Sequence, residues 1–249
     1  MRFVLVHGGY HGAWCWKKLT PELQKLGHSV LVIDLPGCGE RMAERTTLSS
    51  WRGALREIIQ DGDVLVGHSM GGFATSLAAD EVPDKVARLI YLAASVPVEG
   101  GTMAAATANN VARDWPTTVG MPHDAFTEIV ALPNQGPCMR LTKQQAANKL
   151  FYHDCAAEDQ DWAWAHLTPL PLAPATEPFH LPRFWTVPIP KDFVMATDDH
   201  SHSVALDNTF IRRLGLTTAF SIVASHSPFI SRPHDTAKIL DACARATLN

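Results

Sequence analysis

From residue 3 to residue 94 the chain alternates short apolar runs with longer stretches of mixed polarity. Phe3 to Val6 is the first run, too short for a helix, and it ends in the glycine-rich stretch His7-Gly8-Gly9-Tyr10-His11-Gly12. A helix is predicted from about Trp14 to Leu26, with Thr20-Pro21 as an internal start signal and Gly27 as the stop. Ser29 to Ile33 reads as a second strand, closed by a turn-rich stretch from Asp34 to Gly39. A helix from about Ser50 to Ile59 leads into Val64-Leu65-Val66, and another from about Ser69 to Asp80 leads into the β-rich run Val86 to Ala94. Strand and helix in alternation predict a mostly parallel sheet covered by helices on both faces.

The rhythm breaks between residue 97 and about residue 190, where most of the prolines lie and no β-rich run stands out. Candidate helices fall near Asp124–Leu132, Lys143–Tyr152 and Ala157–Leu167, followed by a proline-rich stretch over 168–174. The alternation then resumes. Asp192–Ala196 and Ala219–Ala224 read as strands, Ser203–Leu214 as a helix, and His234–Thr247 as a closing amphipathic helix. The expectation is one α/β domain over residues 1–249 with an inserted helical cap at approximately 97–190.

Composition narrows the class. The 249 residues are 46% hydrophobic and 18% charged, enough to bury a full core. A net charge of −4 without a Lys/Arg run argues against nucleic acid or an anionic membrane surface as partners. No apolar stretch approaches the roughly 20 residues that span a bilayer, and Met1-Arg2 runs straight into the first strand, so no leader is expected. The five cysteines are scattered without metal-ligand spacing and read as reduced thiols of a cytoplasmic protein.

The candidate chemistry centres on Gly67-His68-Ser69-Met70-Gly71, a Gly-x-Ser-x-Gly pentapeptide between the Val64–Val66 run and a predicted helix. A nucleophilic serine must stand clear of its own backbone, and a sharp strand-to-helix turn achieves this if its flanking positions carry no side chain. Ser69 is the candidate nucleophile. A serine needs a base, and His226 follows the last predicted strand where a loop histidine reaches back over a sheet. The base needs an acid, and two carboxylates, Asp198 and Asp199, follow the preceding strand. His200 and His202 beside them give no distant third ligand, so no metal is expected. Oxyanion donors are expected at the backbone N–H groups of Met70 and Gly9. His7 and His11 are read as braces of the loop that carries Gly9.

With residues 7–16 (His-Gly-Gly-Tyr-His-Gly-Ala-Trp-Cys-Trp), 34–39 (Asp-Leu-Pro-Gly-Cys-Gly), 67–72 and His226-Ser227-Pro228-Phe229 in view, the chain resembles a branch of the α/β-hydrolase superfamily. That branch contains plant methylesterases and hydroxynitrile lyases together with bacterial esterases, and Phe151 to Cys155 looks like the bacterial members. The resemblance implies the α/β-hydrolase fold, a Ser-Asp-His triad, a substrate held between sheet and cap, no cofactor, and a homodimer as one assembly. Its strand-Thr-x-Asp pattern, laid on Ala196-Thr197-Asp198-Asp199, assigns the acid to Asp199, although His200-Ser201-His202 departs from what usually follows. The lyases resemble one another in having Thr at the place of Gly8 and Lys at the place of Ser227, so Gly8 and Ser227 favour hydrolysis. Gly8, Tyr10, Phe151, Trp164 and Ser227 are the expected substrate contacts. The expected substrate is a small aryl or alkyl ester, or a lactone. The alternatives are a C–C hydrolase or lyase acting on a small natural product, and a ligand-binding protein on a hydrolase scaffold.

Overall fold

The structure, a computed structural model, describes residues 1–107 and 115–246. Its first half follows the predicted alternation. Strand β1 (Arg2–Val6) leads through a 3-10 turn to helix α1 (Leu19–Lys25), then β2 (Ser29–Ile33), α2 (Leu48–Ile58), β3 (Asp63–His68), α3 (Gly71–Glu81) and β4 (Val86–Leu92). The apolar runs are strands without a polar face because helices cover both sides of the sheet. Phe3 and Leu5 join Val64, Val66 and Ile90 in one core, while Val4 and Val6 join Leu65, Leu89 and Tyr91 in the other. Helix α2 begins with a reciprocal cap in which Thr47 Oγ1 accepts from Ser50 N and Ser50 Oγ accepts from Thr47 N, each at 2.9 Å.

Between β4 and the next sheet strand the chain makes a long excursion. It holds the short helices α4 (Met103–Thr107) and α5 (Trp115–Val119), strands β5 (Thr127–Leu132) and β6 (Gly136–Leu141), helices α6 (Gln144–Ala147) and α7 (Ala157–His166), and the two-residue strand β7 (Leu170–Pro171). A π-helical turn over Asn148–Tyr152 extends α6. The helix expected at Asp124–Leu132 is not there. β5 and β6 form an antiparallel hairpin, and β7 adds to β6 as a third strand, so the excursion is mixed and not purely helical. The reason is local: Thr127, Ile129 and Val130 are β-branched, and the Pro133–Gly136 turn puts Asn134 at φ 65° and Gly136 at φ 70°.

The chain returns through β8 (Lys191–Ala196), α8 (Val204–Arg213), β9 (Phe220–Ile222), the short α9 (Pro228–Ser231) and α10 (Pro233–Arg245). Thr247, the expected end of the last helix, lies outside the described residues. The main sheet runs β2-β1-β3-β4-β8-β9, and every neighbouring pair is parallel. β1 sits between β2 and β3, so the order reverses across β1 and β3. At such a reversal the loops leaving two adjacent strands part and open a crevice at the carboxyl ends. Here those loops are residues 7–12 and the Ser69 turn. Among the described residues no helix is long and apolar enough to cross a membrane.

Candidate active site

β3 ends at His68 and α3 starts at Gly71, so the chain turns within two residues. Ser69 takes φ 51°, a left-handed value that costs a side-chain-bearing residue roughly 1–2 kcal/mol. The surroundings enforce it. A Cβ at Gly67 would lie 2.6 Å from Thr75 Oγ1 and 2.8 Å from Gly71 O. One at Gly71 would collide with Val6 O and stand 2.6 Å from His7 O. α3 therefore packs against the end of β1 at backbone distance, and its amino end points at the crevice. Ser69 N–H donates to Ala93 O at 3.2 Å, which ties the turn to the end of β4.

His226 lies on the loop after β9, with its side chain 2% exposed. His226 Nδ1–H donates to Asp199 Oδ2 at 2.6 Å, and Asp199 Oδ1 accepts from Ser201 N at 2.6 Å and His202 N at 2.9 Å. Burial pushes the Asp199 carboxyl up, but the attraction and hydrogen bond of His226, with help from His202, outweigh it and hold it below the usual carboxylate range. Asp198 faces outward, and its backbone carbonyl accepts from His153 Nε2 at 2.8 Å.

Three further histidines stand under and around this pair as neutral rings. Leu35 N–H donates to His7 Nε2 at 3.1 Å, so the His7 proton sits on Nδ1 and goes to Gly8 O at 2.8 Å. His11 Nδ1–H donates to Gly9 O at 2.7 Å, and its Nε2 accepts from the Tyr152 hydroxyl at 2.6 Å. Burial, with smaller contributions from His226 and His7 working against the Gly9 bond, pushes His11 down to about 3. His68 Nε2–H donates to His226 O at 2.8 Å and is likewise pushed down by burial. The loop carrying Gly9 and the loop carrying His226 are thus each held by an imidazole fixed in one tautomer.

A family model described as "Alpha/beta hydrolase family" matches residues 3–239. The chain belongs to the alpha/beta hydrolase family. Norfluorocurarine synthase 2 of a Strychnos species is 30% identical to this hydrolase over 258 residues, which cover 96% of this chain and 93% of the relative. A putative methylesterase, number 14, of Arabidopsis thaliana is 27% identical and covers 96% of this chain and 70% of its own length. Among solved structures, polyneuridine aldehyde esterase matches with a TM-score of 0.80 at 26% identity, covering 97% of this chain and 98% of its own. The Strychnos and Arabidopsis relatives are plant proteins, and the narrower expectation of a bacterial-type member is not supported.

In this hydrolase the crevice opens into a cavity of about 260 Å³. Of the residues expected at the site, Ser69, His226, Gly9, Met70, Tyr10 and Phe151 line it together. Gly8, Trp164 and Ser227 do not, and Asp199 stands enclosed behind His226. Gly8 lies behind the nucleophile position, where a Cβ would stand 2.8 Å from Ser69 Cβ. Trp164 packs against the core beneath α7, and Ser227 is buried with its N–H 3.4 Å from Ser225 Oγ. The remaining wall is mostly apolar, with Phe73, Met103, Met139, Leu170 and Leu172. Met139 and Leu170 come from β6 and β7, the sheet that the helical reading of this segment hid. His68 is a supporting residue that sequence reasoning missed, since it fills a variable position of the pentapeptide and nothing in its spacing sets it apart.

Among the described residues one cluster has metal-ligand types: His153, Asp198 and His200. Its two imidazoles stack at 3.9 Å with 20° between their planes, so their in-plane lone pairs run alongside each other and do not converge. One nitrogen of each is also committed to a carbonyl, His153 to Asp198 O and His200 to Lys149 O. The cluster clamps the excursion to the loop after β8.

Proposed function

We propose that this protein is a serine esterase that cleaves small carboxylic esters through Ser69, His226 and Asp199. In this reading His226 Nε2 takes the Ser69 proton as Oγ attacks the ester carbonyl. The N–H groups of Gly9 and Met70 hold the oxyanion, each such donor being worth about 3–4 kcal/mol. Collapse expels the alkoxide, which receives the proton from His226, and leaves an acyl-serine. Water then gives a proton to His226 and attacks the acyl carbonyl, and the same proton returns to Ser69 as the acid leaves. No cofactor enters.

The observation that carries the reading is the junction of two strained or buried features on one apolar cavity. Ser69 is held left-handed by glycines that admit no side chain, and His226, bonded to the enclosed Asp199 behind it, lines the same space. The methylesterase and aldehyde-esterase names of the relatives support ester cleavage as the reaction. A fluorophosphonate challenge followed by intact-mass measurement tests it. Wild type is expected to gain one adduct and Ser69→Ala none. An adduct without turnover of any ester would favour a C–C hydrolase or lyase, a reading the synthase name of the Strychnos relatives keeps open. No adduct on folded wild type would overturn the nucleophile and leave a binding protein on this scaffold.

A further inference from the structure

A second Ser–His–Asp arrangement stands beside the first. Ser95 follows β4, is almost fully buried, and lines the same cavity as Ser69. Its N–H donates to Ser69 O at 3.0 Å, so it sits at the depth of the nucleophile and not at the mouth. Ser95 Oγ is 3.5 Å from His202 Nε2. On the far side of the ring, His202 Nδ1 is 3.4 Å from Asp207 Oδ1 of α8, and both side chains are completely buried. His202 is also linked to the first set: its backbone N–H bonds Asp199, and its ring lies 5.1 Å from that of His226. The esterase mechanism uses neither Ser95, His202 nor Asp207. A buried carboxyl and imidazole cost several kcal/mol relative to apolar packing.

The two sets differ in what surrounds their acids: Asp199 accepts from His226 and two backbone N–H groups, whereas Asp207 lies enclosed with His202 3.4 Å away. Asp199 is ionised, so His226 donates from Nδ1 and keeps Nε2 as a base for Ser69. Burial, reinforced by the neighbouring Asp199 charge and only partly opposed by His226, pushes the Asp207 carboxyl well above the usual range and so favours its neutral form. A neutral acid facing His202 Nδ1 leaves the ring proton on Nε2, where it donates to Ser95 Oγ. The Ser95 hydroxyl proton then turns away from His202 and toward the cavity. The same three residue types yield a nucleophile in one case and a hydrogen-bond donor in the other.

We propose that Ser95, oriented by His202 and Asp207, is a substrate-recognition hydroxyl that donates to an acceptor oxygen next to the scissile ester, so that hydroxy-, keto- or alkoxy-bearing esters are the preferred class. The proposal rests on the esterase reading. Two probe pairs test it: methyl mandelate against methyl phenylacetate, and 2-methoxyethyl against butyl phenylacetate. Wild type should prefer the oxygenated member of at least one pair, by kcat/KM, roughly tenfold, the worth of one buried hydrogen bond. In Ser95→Ala and His202→Phe that ratio should fall toward one. His202→Gln, whose amide can still donate to Ser95 Oγ, should keep most of it, which a merely space-filling role for His202 would not predict. No preference in either pair, or a preference that survives Ser95→Ala, overturns the proposal. Fluorophosphonate labelling of the same preparations separates the two failures: labelled protein without preference sinks the role of Ser95 alone, whereas unlabelled wild type sinks the esterase reading and this proposal with it.

Discussion

Asp198 and Asp199 are adjacent in sequence, but they meet different surroundings. The Asp199 carboxylate is fully enclosed and accepts from His226 and two backbone N–H groups, whereas that of Asp198 is 59% exposed. Asp199→Asn is therefore expected to lower kcat on an activated ester by about 10³–10⁴, through loss of the His226 tautomer. Asp198→Asn should change it less than about twofold. Steady-state rates on folded protein decide between them, and equal losses would remove Asp199 from its proposed role. A second outcome belongs to Gly71. Its substitution by Ala forces backbone to move at Val6 and His7, and should cost about 1–3 kcal/mol, read as a lower urea midpoint. Much at this scale was legible. Spacing after the strands pointed to Ser69 and His226, because a parallel sheet delivers its loops to one edge. It could not separate two neighbouring carboxylates, since which one turns inward depends on contacts with Ser201 and His202 that pattern does not encode. It also could not single out Ser95 or His68, which matter through partners far away in the chain.

At the scale of elements, what held the alternating half together in sequence was redundancy: each strand was announced by its apolar run and again by the turn residues after it. The excursion lacked that redundancy. The β5–β6 hairpin was hidden because a mixed apolar stretch followed by a turn suits helix or strand about equally, and the β-branched Thr127, Ile129 and Val130 were the available signal. The return to the main sheet depends on one side chain of α3. Asp80 Oδ1 accepts from the backbone N–H groups of Arg183 and Phe184 at 2.8 and 3.0 Å, while Oδ2 accepts from Arg52 at 2.7 Å. Asp80→Ala leaves all three donors without that partner and is expected to cost about 3–5 kcal/mol, seen as a fall in the urea midpoint. A loss below about 1 kcal/mol would show that the segment before β8 is held by its apolar contacts alone.

For the whole molecule the buried titrating groups set an acid limit. His7, His11 and His68 are all pushed down by burial, so the unfolded chain binds their protons below about pH 6.5 while the folded chain does not. Their contribution to stability therefore falls as pH falls, and for His11 the loss is about 1.4 kcal/mol per pH unit and continues to about 3. Asp207 acts in the opposite sense, because its raised carboxyl binds a proton in the folded state that the unfolded state has lost above about pH 4. Asp199 adds no slope in this window, since its depressed carboxyl gives up its stabilisation only below about pH 4. The three imidazoles outnumber the one carboxyl, so protons are taken up on unfolding and stability is expected to fall from about pH 6 to 4.5. Urea midpoints across that range check the sign, and His11→Gln should flatten the slope by about one proton. A flat profile in wild type would rule out neutral buried imidazoles. The sheet order carries one more consequence. β4 and β8 are hydrogen-bonded neighbours, Leu89 to Leu92 beside Lys191 to Val194, so everything between them leaves and re-enters the sheet at a single seam. The strands, the Ser69 turn and the His226 loop form a chassis, and residues 93–190 behave topologically as a cassette plugged into it. A lineage, or an engineer, can exchange that cassette and so retune what the cavity admits, while the register of the six main-sheet strands stays as it was.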